Sequence, residues 1–263
     1  MDDSPPKYRM CIAYDGTRYC GWQVQPNGVS IQALIEKALQ IRLKTPTRLV
    51  GSGRTDAGVH ALGQEAHFSS SSPLDCQRLL YALNGLLPHD IRIKELTPIM
   101  SSFHAQFSAL SKEYHYHLWL EKTIDPFFRL YRHHFCYSGF SLSLLQEGAK
   151  QFIGSHDFAS FANVGGNSID TERTITRLDI IPQEGGIRLE FEGDGFLYKM
   201  VRNIVGMLLE IATSKRKFTE IPTLLLAKDR RLAAPAASPK GLFLMKVNYP
   251  ELFFLNSSTK DGK

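Results

Sequence analysis

The chain has 263 residues, 43% hydrophobic and 22% charged, the balance of a globular protein with room for a sizeable core. Apolar runs such as 224–227 and 242–245 are too short to span a bilayer, which argues against a membrane protein built on helical spans. Four scattered cysteines (Cys11, Cys20, Cys76, Cys136) with no CxxC pair argue against a cysteine-built zinc site, and the acidic, proline-rich start is unlike a signal peptide; both point to a cytoplasmic protein with free thiols.

Along the chain, Tyr8, Met10, Ile12 and Tyr14 alternate as on a half-buried strand. Ser30 is placed to cap a helix whose apolar positions are Ile31, Leu34, Ile35, Ala38 and Leu39, with Val29 and Leu34 as a hydrophobic staple. Short strands are predicted at about 47–51 and 65–69, then a helix from Asp75 to Leu87, stopped by Pro88, and a strand over 90–96. The order β-α-β-β-α-β then recurs. A strand starts at Glu113, with Tyr114, Tyr116, Leu118 and Leu120 on one face. A helix follows at about 141–153, then a hairpin of strands 174–182 and 186–192 through Gly185-Gly186. A helix over 197–213, a further one at 218–229 and a last strand over 241–249 complete the layout.

Two such units predict an α+β fold. It consists of two ferredoxin-like halves, 1–104 and 105–263, with antiparallel sheets side by side and a central cleft between them. The tail from Leu255 to Lys263, rich in Ser, Lys and Gly, is expected to be disordered. Residues 199–246 hold ten Lys/Arg against three Asp/Glu, and the net charge is +5. That asymmetry suits a polyanionic partner, with a solvated basic face as the alternative.

The densest signal is VGSGRTDAGVHALGQ over 50–64, where Gly51, Gly53, Gly58 and Gly63 surround Arg54 and Asp56. Glycines permit a close backbone approach to a ligand, and the guanidinium of Arg54 matches phosphate or the face of a base. Asp56 either braces a turn through its own backbone or reacts as an ionised carboxylate, which then needs a cationic partner. Arg202, inside the apolar helical stretch MVRNIVG, is a candidate for that partner. Asp56 and His60 stand four apart, but on a loop this spacing has no fixed geometry and no third ligand is evident, so no metal site is expected. The run Phe103, His104, Ala105, Gln106 and Phe107 packs as core or stacks on unpaired bases.

The blocks YDGTRYCGWQVQ (14–25), GSGRTDAGVHALGQ (51–64), FHAQFSA (103–109), KEYHY (112–116), KMVRNIVG (199–206) and GLFL (241–244) resemble the tRNA pseudouridine synthase A family. They stand in the family's order and span nearly the whole chain. The resemblance implies a cofactor-free, metal-free isomerase that converts uridine to pseudouridine at positions 38 to 40 of the tRNA anticodon stem-loop. It also implies a homodimer with two ferredoxin-like halves around a basic cleft. Carried over, Asp56 matches the catalytic aspartate and Arg54 the arginine that helps extrude the nucleotide. Tyr114 matches the tyrosine at the target base, and Arg202 the arginine pairing with the aspartate. The FHAQF run, 103–107, matches a segment that touches tRNA, although Gln106 stands where an arginine is common. A non-catalytic RNA-binding protein with the same cleft and a metal-dependent RNA hydrolase using Asp56 and His60 are the rival readings.

Overall fold

In the computed structural model, which describes residues 5–165 and 170–255, the period-two apolar pattern at the start becomes strand β1, Lys7–Tyr14. It is followed by α1 (Ile31–Leu43), β2 (Val50–Gly51), β3 (His60–Ser69), α2 (Cys76–Leu86) and β4 (Ile91–Ile99). The second run comprises β5 (Ser111–Trp119), β6 (His133–His134), α3 (Leu142–Lys150), β7 (Gly154–Asp157), β8 (Glu172–Gln183) and β9 (Gly186–Gly193). It ends with α4 (Met200–Ala212), α5 (Ile221–Ala227) and β10 (Leu242–Asn248).

Local chemistry sets the helix ends. Ser30 Oγ accepts from the Ala33 amide at 3.3 Å and Asp75 Oδ1 from the Arg78 amide at 3.0 Å, so both predicted caps form. The Val29 staple does not become a buried contact: that side chain is 54% exposed, while its carbonyl accepts from the Cys20 amide. Pro98 sits near the end of β4 because β4 is the edge strand, where a missing N–H breaks no ladder.

The strands make one sheet in the order β4-β1-β3-β10-β5-β9-β8-β7, with β2 paired to β3 and β6 to β5. The two sheets expected side by side are therefore hydrogen-bonded into one. The junction is a short parallel pairing of β10 with β3, Phe243 opposite His60 and Leu244 opposite Ala61. This pairing also lengthens β3 backwards: the strand expected from 65 begins at His60, and the glycine-rich loop proper is confined to 52–59. The remaining pairings are antiparallel, apart from the two-residue contact of β5 with β6.

Tyr8, Met10, Ile12 and Tyr14 join Ile35, Leu39, Leu79 and Leu83 in the core, while Arg9 and Glu65 occupy the opposite face of the sheet. Helix α4 is buried nearly all round, wedged between α3 and the segment 233–237. A Cβ on Gly206 would collide with the Pro235 carbonyl oxygen and lie 3.1 Å from its carbon. The obstacle is backbone, so overpacking should outweigh the roughly 1 kcal/mol of helix propensity gained. Gly206→Ala is expected to destabilise the fold by about 2 kcal/mol, read as a lower urea midpoint at unchanged slope. No helix among the described residues is long and apolar enough to cross a membrane. The tail beyond Leu255 lies outside the described residues.

Candidate active site

The loop ahead of β3 is held by polar side chains behind it. Ser52 Oγ donates to Gln64 Oε1 at 2.7 Å, and Gln64 Nε2 donates to the Gly53 carbonyl at 3.0 Å. The Thr55 hydroxyl meets Tyr14 Oη at 2.8 Å, and the Thr55 carbonyl accepts from the Trp22 amide at 3.1 Å. Gly21 (φ +98°) is the tight point of this lacing, because a Cβ there would run into the Thr55 carbonyl oxygen. The Asp56 carbonyl then accepts from the Val59 amide at 3.1 Å, closing a turn in which Gly58 takes φ +75°. Asp56 is thus fixed by its backbone, which leaves its carboxylate free to be aimed elsewhere.

The carboxylate points at α4. Arg202 Nη1 donates to Asp56 Oδ2 at 2.5 Å across 146 residues of sequence, and Arg202 Nε donates to the Ala237 carbonyl at 2.8 Å. Both side chains are mostly buried, 14% exposed for Asp56 and 12% for Arg202. At such depth a carboxylate is costly to desolvate, and the guanidinium offsets that cost. Tyr114 of β5 stands nearby, 7% exposed, with the Phe196 ring edge-on at 5.1 Å. Burial, reinforced by the charge of Asp56, pushes its phenol well above the usual range, so it is neutral at pH 7. Among the described residues the Tyr114 hydroxyl makes no hydrogen bond, so a ligand could take it.

Asp56, Arg202, Tyr114 and Arg54 all line one open cleft of about 1960 Å³. That is well beyond the roughly 300–1000 Å³ of a small-molecule pocket and suits part of a macromolecule.

Sequence comparison decides what kind of site this is. A family model described as tRNA pseudouridine synthase matches residues 10–108 and 149–250. The chain is 56% identical over 246 residues to tRNA pseudouridine synthase A 1 of Protochlamydia amoebophila, covering 92% of this chain and 96% of that one. It is 46% identical over 249 residues to tRNA pseudouridine synthase A of Chlamydia muridarum, covering 91% and 90%. To tRNA pseudouridine synthase A of Bacillus subtilis it is 42% identical over 245 residues, covering 92% and 99%. The chain belongs to the tRNA pseudouridine synthase family.

Within that family frame, the structure sorts the residues singled out in the sequence. It brings Asp56, Arg202 and Tyr114 together and leaves Arg54 exposed on the cleft wall. It divides the 103–107 run. Phe103 and Ala105 are fully buried, Phe103 against Tyr249 at 4.9 Å and Phe253 at 5.6 Å, so their side chains offer no surface to a ligand. Gln106 and Phe107 line the cleft, and His104 stacks on Phe107 at 4.3 Å, presenting an aromatic pair with Phe107 78% exposed.

His60 is not set beside Asp56 as a ligand. It is fully buried, with Nδ1 3.1 Å from the Gly16 amide and the ring stacked on Phe243 at 4.5 Å. Burial lowers its pKa, consistent with a neutral strut. Glu113, His115 and Glu190 have metal-ligand spacing, but Arg177 already engages both carboxylates, at 3.3 Å and 2.6 Å.

The basic run 199–246 also behaves differently from expectation. Arg202, Arg216, Lys228 and Arg231 are engaged with Asp56, Glu210, Asp157 and Asp229, so much of that charge is locally neutralised. Of that run only Lys199 and Arg202 line the cleft among the described residues; the other lining cations, Arg48, Arg54, Lys112 and Arg173, come from other segments. The supports Tyr14, Trp22 and Gln64 and the ring of Phe196 were not singled out from the sequence. The signal for the first three as supports was their place in the YDGTRYCGWQVQ and GRTDAGVHALGQ blocks, Tyr14 having been read only as an alternating strand residue.

Proposed function

We propose that this chain isomerises uridine to pseudouridine in tRNA, at positions 38 to 40 of the anticodon stem-loop, as a homodimer and with Asp56 as the reacting carboxylate. The observation that carries the reading is the buried Asp56–Arg202 pair at the floor of a cleft large enough for RNA, in a chain of this family. A protein that only bound RNA would lose affinity by keeping a carboxylate where phosphates approach, which disfavours the purely binding alternative.

The reaction breaks the N1–C1′ bond, turns the uracil and joins C5 to C1′; the C5 proton leaves and N1 regains one, so nothing is oxidised or reduced. A stacked and paired uridine has no room to turn and must first leave the helix. Arg54, at the cleft wall, is suited to fill or brace the space vacated. Asp56 attacks the sugar or the base, or removes a proton from the sugar, and each route needs the carboxylate ionised. Tyr114, neutral and with an uncommitted hydroxyl, is placed to hold the detached uracil by stacking while it rotates.

The architecture supports a reading as two β-α-β-β-α-β units, residues 1–104 and 105–263. In the first, β4-β1-β3 has β2 on the far side of β3; in the second, the order is β10-β5-β9-β8. Both correspond to the ferredoxin-like order, fourth-first-third-second. Asp56 belongs to the first unit, Tyr114 and Arg202 to the second, so the site straddles their junction.

The direct test is pseudouridine mapping on an unmodified tRNA transcript incubated with the protein; no conversion at any uridine would overturn the reading. Binding to the same transcript should weaken steeply with salt. About four phosphate contacts give a slope of log K on log salt near −3, about 60-fold between 50 and 200 mM. A flat response would count against a phosphate-lined cleft.

A further inference from the structure

Of the two cations that α4 and the residue before it bring to the cleft, Arg202 is committed to Asp56 and Lys199 is not. Lys199 is half-buried, and its ammonium makes no hydrogen bond and pairs with no carboxylate among the described residues. Its Nζ lies 5.1 Å over the centre of the Tyr198 ring, which is 40% exposed on the same wall. A ring face holds an ammonium without using its N–H groups, so three donors remain for a ligand.

The backbone at Lys199 is strained. It takes φ +61° and ψ +8°, the left-handed region, which crowds the Cβ of an L-residue and suits glycine. Among the described residues three other non-glycines share that region: Lys44 and Lys228 at the C-caps of α1 and α5, and Ser214 two residues past α4. There the twist ends a helix, and at Lys44 the amide still reaches the Gln40 carbonyl. Lys199 instead precedes a helix, and its side chain caps no amide.

The twist is set by the neighbours of Lys199. Leu197 and Met200 are buried on either side, with the Met200 amide on the Leu197 carbonyl at 3.0 Å. The Lys199 carbonyl takes the Asn203 amide at 2.9 Å. These bonds use only the backbone of residue 199, so glycine would make the same turn with less strain. The fold gains from the lysine side chain only its contact with the half-exposed Tyr198 ring, a small effect. Strain kept at a cleft-lining residue of this kind points to use of its side chain by a ligand.

We propose that Lys199 binds a phosphodiester of the RNA strand, one of the two flanking the nucleotide presented to Asp56. Arg202, whose Nη1 reaches Asp56, stands three residues further on, so at most about 11 Å separates the two α-carbons. An ammonium with three uncommitted donors meets phosphate oxygens as a compact point charge. The Tyr198 ring holds that charge at the cleft wall before RNA arrives. This inference rests on the proposed RNA-modifying function and adds to it a strand contact on the wall where α4 begins.

The test measures binding of an anticodon stem-loop RNA, together with thermal unfolding, in the Asp56→Asn background, where turnover does not intrude. Lys199→Gly is expected to move the two readouts in opposite directions. Affinity should fall roughly tenfold and the salt slope by about one unit, while the melting temperature rises by about 2–4 °C as the strain is relieved. Lys199→Gln removes the charge and keeps the strain. It should lose the same affinity and slope, with a melting temperature within about 2 °C of the parent. Lys199→Arg should hold affinity, slope and melting temperature, because the charge and the backbone conformation both remain. Neutral methylphosphonates walked through the stem-loop should find a position beside the target uridine that weakens binding to the parent protein roughly tenfold and to Lys199→Gln not at all.

If Lys199 only braced Tyr198, both Lys199→Gly and Lys199→Gln would lose melting temperature with affinity and salt slope unchanged, and the inference would fall. It would fall equally if affinity dropped but no methylphosphonate position distinguished the parent protein from Lys199→Gln, since the ammonium would then be holding something other than a phosphodiester. Absence of pseudouridine from wild-type reactions would overturn the functional reading alone, because every readout here is of binding or unfolding.

Discussion

Replacing Asp56 with asparagine is expected to abolish pseudouridine formation while leaving tRNA bound. Asparagine keeps the shape of the side chain and an oxygen that still accepts from Arg202 Nη1, the contact held at 2.5 Å in the parent protein. The turn beneath it depends on the Asp56 carbonyl and the Val59 amide, which the substitution does not touch. What is lost is the negative charge and with it the proposed nucleophile or base, so turnover should fall by at least about 10⁴-fold. Binding should hold or improve slightly, because a carboxylate has been removed from a cleft that meets phosphates. Stability should change by no more than about 1–2 kcal/mol, the difference between a charged and a neutral hydrogen bond at a mostly buried site. Single-turnover pseudouridine mapping beside a filter-binding titration separates the two effects. Conversion at the wild-type rate would remove Asp56 from the chemistry. A parallel loss of binding would instead make it a structural residue of the loop.

That the residue could be picked out at all reflects how the loop is encoded. A carboxylate among glycines is a local pattern, and so are the caps of α1 and α2, both formed by the side chains the sequence nominates. Strand alternation in β1 and the hairpin of β8 and β9 were equally legible, since each depends on neighbours a few residues apart. The parallel pairing of β3 with β10 was not. Residues 60–61 and 243–244 recognise each other across most of the chain, and nothing in either segment's own periodicity announces a partner. The same pairing explains why the glycine-rich stretch seemed longer than it is: His60 to Gln64 looks like loop by composition but is strand by contact.

Side-chain destinations were harder still. The 103–107 run splits between core and cleft. Phe103 and Ala105 fill a satellite core with Ile99, Tyr249 and Phe253, whereas Phe107 stays in the cleft. Aromatic content alone does not distinguish a ring that packs on Tyr249 from one left exposed in the cleft. Charge runs mislead in the same way. The cations of 199–246 are partly cancelled by carboxylates that folding brings to them, such as Asp157 for Lys228, while Lys112 and Arg173 reach the cleft from separate strands with no run to mark them. Val29 shows the limit from the opposite side. Its spacing to Leu34 is right for a staple, but the chain before it is drawn toward Cys20 and leaves the side chain in solvent.

Removing the partner of the carboxylate should cost both stability and rate, and the two losses can be told apart. Arg202→Met leaves the Asp56 carboxyl without its partner at 14% exposure and strips the Ala237 carbonyl of its Arg202 donor. Breaking a buried ion pair from one side costs about 3–5 kcal/mol, and the residual exposure places this case near 3. For a chain of this size that corresponds to a fall in melting temperature of about 6–12 °C. The rate should drop by about 10²-fold or more, the loss typical when one preorganised electrostatic partner of a reacting group is deleted. Arg202→Lys should recover only part of either, since one ammonium nitrogen replaces two guanidinium nitrogens that serve separate acceptors. The decisive measurement is the double variant. If Arg202 acts through Asp56, Asp56→Asn with Arg202→Met should be no slower than Asp56→Asn alone, and more stable than Arg202→Met alone because no unpaired carboxylate remains. Additive losses in both quantities would mean that Arg202 supports the fold independently through Ala237 and that its approach to Asp56 is incidental to the chemistry.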